Sequence, residues 1–598
     1  MNHVLDYGAD LGESADRAGA RGRALSQMAA LGMPVPPGFV VTDIACRRFL
    51  ETGDIPSAAW AEVIDGLART AESIRERGNE RSDTSRPVLY SVRSSPPVAM
   101  PGLFDSALYL GCTPQAMEQL ARWGGRRLAL TARLGFLKAI GRLRSLPGAH
   151  YSLIVADIAG PAARSDWSDD QIEEVCSAYE AVVADVSQRP IPDDVLGQVR
   201  EGIEGVFASW DGLGAHRFRR VHGLSDDDGM GVVIHPMIFG ELDDDSGAGY
   251  VVSRDPLDGS PEIVGRYEPG SNRPAPGVSP AGLEGFRGVA PADYDLVIAA
   301  VGDLERSNGD IMRIDFVRER GRIWMIEGRP AERSPESAVR VAVDMVEEGL
   351  MSTERAILSV DPESLAGMLH PRLASPPADE PLAVGTATSP GAASGRLVFS
   401  VPAAVAAAEG GESAILVLRE VLPRDLDGVV SAAGLITSHG GGTSHAAVAA
   451  RAAGSPAVTG IAEVVLSADS VRIGGRTLTS TDVVTIDGST GLIYAGEFDI
   501  VQPPAASYLD RLLEWADAVR RLGVWAHADT ARAAVLARAA GAEGIGLARS
   551  EYMFHGERLA VVRRILLSAD VRDRADALEE LENLQIADFE ELLEAMDG

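Results

Sequence analysis

Thr437-Ser438-His439-Gly440-Gly441-Gly442-Thr443-Ser444-His445-Ala446-Ala447-Val448-Ala449-Ala450-Arg451 is the stretch on which the reading of this chain turns. Three successive glycines leave the backbone free to adopt positive φ and to come close to an anion. Thr443, Ser444 and His445 then open an alanine-rich helix, whose first N–H groups lack partners within the helix and favour negative charge. A histidine there is placed to receive a phosphoryl group. An imidazole nitrogen attacks, and the N–H groups around Gly441, Gly442 and Ser444 together with the Thr443 hydroxyl hold the phosphoryl oxygens. Arg451, within two turns on the same helix, is positioned for a further charge-assisted contact. Taken alone, a histidine behind a glycine-rich turn reads more simply as an incidental residue next to a helix cap.

Outward from this stretch, residues 383–498 read as a compact α/β unit. It contains the apolar strand Ala414–Leu418 and a terminal hairpin, Val483–Tyr494, around Asp487-Gly488. Upstream, Gly19–Leu31 reads as a helix halted by Gly32, and Pro34-Val35-Pro36-Pro37-Gly38-Phe39 as a rigid turn feeding the strand Val40-Val41. Val88–Arg93 reads as a short strand, residues 169–210 as helical and surface-exposed, and residues 230–340 as strand-rich, with Arg313–Val317 pairing Ile323–Ile326. Residues 346–380 carry a helix ending near Leu369, then Pro371 and Pro376-Pro377, the composition of a semi-rigid linker. After residue 507 a helix precedes two buried strands, Val524–Ala528 and Gly544–Leu547, separated by an alanine-rich helix. Such β-α-β alternation begins a parallel barrel or a doubly wound sheet.

Composition narrows the function classes. A chain of 598 residues with 45% hydrophobic content predicts three or four domains, each able to bury a core. A formal net charge of −32 argues against a nucleic-acid partner, so any phosphate site must be a local pocket of arginine and backbone N–H groups. Lys138 is the sole lysine, a bias that makes arginine at an expected lysine position weak evidence of lost function. No apolar run approaches the roughly 20 residues that span a bilayer, and the opening residues lack the basic start and apolar core of a secretory leader. Cys46, Cys112 and Cys176 lie far apart and read as buried thiols in a reducing cytoplasm.

The fifteen-residue stretch resembles the phosphohistidine signature of enzymes that use phosphoenolpyruvate (PEP), in which the second histidine, here His445, is the carrier and His439 is not. The resemblance runs along the chain in order. Gly19–Met28 and Leu31–Phe39, then Ser91-Val-Arg-Ser94 and Met100-Pro-Gly102, look like the nucleotide segments of the pyruvate, phosphate dikinase family. Ser389–Gly395 looks like the opening of its histidine domain, and Gly541–Phe554 like the second strand of its barrel. The implied architecture is multidomain, α/β and α+β. Residues 1–345 would form an ATP-grasp-like nucleotide domain, 346–380 a linker, 381–500 a swivelling phosphohistidine α/β domain, and 501–598 the N-terminal part of a PEP/pyruvate-binding barrel.

The resemblance implies a cytoplasmic phosphotransferase using ATP and Mg²⁺. It would pass a phosphoryl group through His445 to pyruvate or another acceptor, with no nucleic acid or membrane involved. Arg21, standing where the family has a lysine, Arg93, Glu327 and Arg329 are the implied ATP-binding residues, with Gly247 and Gly249 in a glycine-rich phosphate cover. Asp315 and Glu327 are the implied metal carboxylates, and Arg549 is a PEP-binding barrel arginine. Arg313 stands where the family has an acidic residue, Glu327 replaces a glutamine, and Arg266 with 270–276 replaces a polar, acidic stretch. These departures keep a second reading open: a catalytically degenerate, nucleotide-binding or regulatory relic acting through a partner protein. A full barrel takes about 250 residues, and 98 follow residue 500. Three alternatives follow for this segment: it docks on a partner chain, it pairs with a second copy, or it is marginally folded.

Overall fold

The computed structural model describes the chain except residues 1–2, 9–10, 78–85, 99, 101–102, 161–165, 273–280, 367, 376, 378–379, 423–424, 443, 462–464, 468–469, 502–506, 551–553, 555–557 and 597–598. Thr443, Pro101-Gly102, residues 273–276, Pro376 and Glu551–Met553, all singled out above, lie outside the described residues. The chain divides into two compact units, Met1–Met351 and Ser352–Gly598.

In the first unit, strands β1 (Val4–Asp6), β2 (Phe39–Val41), β3 (Tyr90–Ser95), β4 (Ser106–Leu110) and β5 (Gly231–Pro236) form an antiparallel sheet in the order β1-β2-β5-β3-β4. A second antiparallel sheet, ordered β7-β6-β8-β9, is built from β6 (Gly247–Val252), β7 (Val264–Pro269), β8 (Met312–Glu319) and β9 (Arg322–Pro330). The helix Gly19–Ala30 lies against both, burying Leu25 and Met28 with Val40 and Val233 of one sheet and Ile314 and Met325 of the other. Its start is set by Gly19, at φ +70°, where a Cβ would stand 1.8 Å from the Ser95 carbonyl oxygen. Ser95 Oγ completes the junction, donating to Ala18 O at 2.6 Å and accepting from Gly22 N at 3.0 Å.

Helices Asp169–Ser187 and Val195–Ala208 occupy the segment expected to be helical, but they are not a surface layer. Ile172, Val175, Cys176, Tyr179 and Val183 recur at helical spacing and join Val199, Ile203 and Phe207 in the main core. All three cysteines are free and buried, and burial pushes the Cys46 thiol up to about 12.

The second unit begins with helices Thr353–Ser359 and Pro362–Ala366, within the segment read as a linker. β10 (Arg372–Leu373) pairs with β22 (Ile500–Val501), so the chain enters and leaves the intervening domain side by side. That domain holds an eight-stranded sheet, ordered β11-β21-β20-β13-β14-β15-β16-β12. Its strands are β11 (Ala383–Val384), β12 (Thr386–Ser389), β13 (Ala392–Val398), β14 (Ala414–Leu418), β15 (Gly434–Thr437), β16 (Ala457–Thr459), β20 (Val483–Asp487) and β21 (Leu492–Ala495). β13 to β16 run parallel, and the two-residue alternation of a strand sorts their side chains. Ala414, Leu416 and Leu435 face the helices Val401–Glu409, Leu426–Ser431 and His445–Ala453. Ile415, Val417 and Ile436 face the small sheet of β17 (Val465–Leu466), β18 (Ser470–Ile473) and β19 (Arg476–Thr479).

Beyond it, helix Ser507–Val519 leads into β23 (Trp525–His527), helix Ala531–Ala539 and β24 (Gly544–Leu547), the two strands pairing in parallel. Helices Leu559–Leu567 and Val571–Glu594 follow, joined by Arg564 to Asp573 and Glu580. The two strands are not the buried pair expected: Val524, Trp525 and Leu547 are exposed, as is Leu567 beyond them. Among the described residues no helix is long and apolar enough to cross a membrane.

Candidate active site

The histidine loop leaves the carboxyl end of β15 and returns as the helix His445–Ala453. Ala446, Ala449 and Ala450 pack that helix on Val429, Leu435 and Ala457, and their small size lets it approach the sheet closely. His445, the first helical residue, stands exposed. Ser444 caps the helix with extended backbone (φ −69°, ψ 161°), its Oγ accepting from Ala447 N at 3.3 Å. The N–H groups of His445 and Ala446, which the helix cannot satisfy internally, then open towards any anion at this end.

The three glycines divide their work. Gly440 has φ +121°, and a Cβ there would meet Ser444 Oγ at 2.8 Å, whereas Gly441 and Gly442 have nothing within 4 Å of that position among the described residues. The first shapes the turn, and the other two leave room. Gly460, just past β16, was not singled out from the sequence; a Cβ on it would stand 2.5 Å from Gly440 O.

Arg451 Nη1 donates to Thr388 O at 2.9 Å and Nη2 to Gly442 O at 2.8 Å. The side chain expected to reach a phosphoryl group therefore clamps the glycine turn to β12. His439, on the strand side of the turn, is pinned. Its N–H donates to Arg419 O at 2.9 Å, Thr437 Oγ1 donates to its carbonyl at 2.7 Å, and Ser438 Oγ lies 3.0 Å from its Nδ1.

In the first unit, the arginines expected to bind phosphate converge on one carboxylate. Arg21 Nη2 lies 2.8 Å from Glu327 Oε1 and Arg93 Nη2 3.2 Å from Oε2, while Arg21 Nη1 also donates to Ser94 O. Burial alone would raise the Glu327 carboxyl; Arg21 and Arg93 more than reverse this and hold it at about 2. His235, opposite Ser91 in the β3–β5 ladder, is buried beside them. Burial first, then Arg93, keep its ring neutral, with a pKa of about 4. Its Nδ1–H donates to Pro236 O at 2.9 Å, so the buried Nε2, which has no hydrogen-bond partner among the described residues, is an acceptor. Arg329 lies opposite Arg313 in the β8–β9 ladder and reaches Glu332 at 3.9 Å.

Asp315 and Glu327 do face each other across β8 and β9. Yet Asp315 Oδ1 already takes Arg313 Nη2 at 2.6 Å and Nε at 3.1 Å, and both Glu327 oxygens are held by arginines. Mg²⁺ needs carboxylate oxygens turned towards it, and guanidinium groups at these distances repel a dication. As arranged, the pair does not fit a divalent cation. Among the described residues no three His, Cys, Asp or Glu side chains gather as metal donors.

The expected phosphate cover at Gly247 and Gly249 is also corrected. Both glycines lie in the fully buried β6, where a Cβ would strike the Tyr267 ring (Oη at 2.3 Å) or the Phe316 ring (Cζ at 2.5 Å). They make room for aromatic packing and present no loop to a ligand. Arg549 follows β24; its N–H donates to Asp529 Oδ1 at 2.6 Å, and His527 Nε2 lies 2.8 Å from the same oxygen. His527 and Asp529 thus join Arg549 at the carboxyl ends of two parallel strands, where α/β folds place ligands.

Residues 410–491 match the mobile domain of PEP-utilising enzymes and residues 505–598 their PEP-binding domain. Pyruvate, phosphate dikinase of Rhizobium meliloti (strain 1021) is 35% identical over 622 residues, covering 98% of this chain and 68% of that protein. Pyruvate, phosphate dikinase 2 of Zea mays is 36% identical, covering 97% and 67%. The chloroplastic pyruvate, phosphate dikinase 1 of Arabidopsis thaliana is 34% identical, covering 97% and 61%. The chain spans about two thirds of the length of the first two and less of the third. By this likeness along nearly its whole length, the chain belongs to the pyruvate, phosphate dikinase family of PEP-utilising phosphotransferases.

Proposed function

We propose that this chain takes a phosphoryl group from ATP onto His445 and passes it to an acceptor, pyruvate being the one that the family relationship favours. In this reading the first unit is an ATP-grasp-like nucleotide domain and residues 381–500 are a swivelling carrier. The observation that carries the proposal is His445 itself, exposed at the first position of a helix behind an open glycine turn. Its ring nitrogen lone pair forms the N–P bond as the P–O bond to the leaving phosphate oxygen breaks, and the ring proton passes to solvent. The N–H groups of the helix start hold the phosphoryl oxygens, Gly441 and Gly442 leave space for them, and Arg451 keeps the turn in place. ATP and Mg²⁺ are the cofactors of the family's enzymes. In this chain, Arg21, Arg93 and Arg329 are the residues suited to hold the nucleotide's phosphates, and no step is assigned to a metal.

The carboxylates committed to arginine support a second reading, a nucleotide domain that binds without turnover. Incubation with [γ-³²P]- and [β-³²P]ATP separates the two. Acid-labile, base-stable label on the protein supports transfer, and label from the β position with release of AMP identifies dikinase chemistry. Absence of label from either position, with nucleotide still bound, leaves only the binding domain.

A further inference from the structure

Resting on the nucleotide reading above, we infer that this arginine cluster neutralises a polyphosphate in place of a divalent cation, so that ATP binds without Mg²⁺. One face of the β7-β6-β8-β9 sheet carries the case. Arg313 lies over Tyr250, its Cζ 3.8 Å from the ring centroid, and is bonded twice to Asp315. Arg329 stands opposite Arg313 on β9, and Arg266 opposite Tyr250 on β7. Arg21 and Arg93 reach the same region from the neighbouring helix and sheet and meet at Glu327. Five arginines therefore share this face with Asp315 and Glu327, and among the described residues Glu332 touches only Arg329, in a chain whose formal net charge is −32. Such a local reversal of sign draws an anion in and keeps a dication out. Arg21 Nε is moreover buried with no hydrogen-bond partner among the described residues.

The arrangement separates two accounts of Glu327. Were it a metal ligand, removing its charge would weaken nucleotide binding. Here it is the internal anion that phosphate must displace from Arg21 and Arg93, so removing its charge tightens binding.

The test is calorimetric titration of the full chain with ATP, in EDTA and in millimolar Mg²⁺, with thermal melts confirming that each variant is folded. The expected dissociation constants agree within about threefold between the two conditions, a difference well under the 1.4 kcal/mol of a tenfold change. Glu327→Gln tightens ATP binding in EDTA, and inorganic tripolyphosphate competes for the site there. Arg313→Asp weakens ATP in EDTA by at least about tenfold, the scale of a lost charge-assisted contact, and regains affinity when Mg²⁺ is added. ATP binding that needs Mg²⁺, or that Glu327→Gln weakens, overturns the inference and leaves the nucleotide reading standing. No binding in either condition overturns both. Should Arg313→Asp not fold, the EDTA comparison and Glu327→Gln decide the matter.

Discussion

Gly460 lies so close to Gly440 that a Cβ on it would stand 2.5 Å from the Gly440 carbonyl oxygen. The segments that leave β15 and β16 thus meet through bare backbone at the turn that presents His445. Gly460→Ala forces that carbonyl to move and also strains a residue at φ +69°, at a cost of about 1–3 kcal/mol. Labelling of His445 is expected to slow at least several-fold, with far-UV circular dichroism unchanged. Wild-type labelling rates in the variant would show that the contact does not position the turn.

Arg451 joins Thr388 O and Gly442 O through two different nitrogens. A lysine has one ammonium point charge and cannot span both carbonyls in a fixed fork. Arg451→Lys is therefore expected to behave nearly as Arg451→Ala, both slowing phosphorylation more than they lower the melting temperature. Full recovery by lysine would mean that only the positive charge matters.

Arg93→Ala and Arg329→Ala are expected to weaken ATP without unfolding the chain. A charge-assisted contact is worth about 1.5–3 kcal/mol, or tenfold and more in affinity. An ordinary surface ion pair is worth about 0–1 kcal/mol. Unchanged affinity by calorimetry in both variants would place these arginines in structural pairs alone.

His235 makes stability depend on pH in a stated direction. Burial and Arg93 hold its folded pKa at about 4, against 6.5 for the ordinary value. The unfolded chain therefore binds the proton first, so stability is full above pH 6.5 and falls as pH drops towards 4. At pH 4.5 the loss is about 2–3 kcal/mol. His235→Gln removes the titration, and urea unfolding at pH 7 and 4.5 should show a smaller loss by that amount. Parallel losses in both proteins would contradict the assignment. Glu327 acts lower on the scale, its contribution present above pH 4.5 and lost as pH approaches 2.

Much of the architecture was legible because short apolar runs and glycine punctuation are local signals. Ala414–Leu418 and Gly544–Leu547 are strands with the expected bounds, and the helix after the glycine turn begins at His445. Residues 169–210 read as a surface layer from their sequence because their many polar residues mask a buried stripe at helical spacing. Gly247 and Gly249 gave the same signal as a phosphate loop, and only the rings of Tyr267 and Phe316 decide between the two. The arginine cluster was visible as single residues but not as a network. Arg21 and Glu327 lie 306 positions apart, and no local pattern reports which cation reaches which carboxylate.

The central claim is that His445, and not His439, carries the phosphoryl group. The most direct measurement is acid-labile, base-stable label from ³²P-ATP on the wild-type chain, His445→Ala and His439→Ala, each verified as folded. His445 is exposed at the helix start, whereas His439 is pinned through its N–H, carbonyl and Nδ1 before the turn. The account predicts label on the wild type, none on His445→Ala, and most of it retained on His439→Ala. Label that survives in His445→Ala, or that disappears equally in both variants, would contradict it.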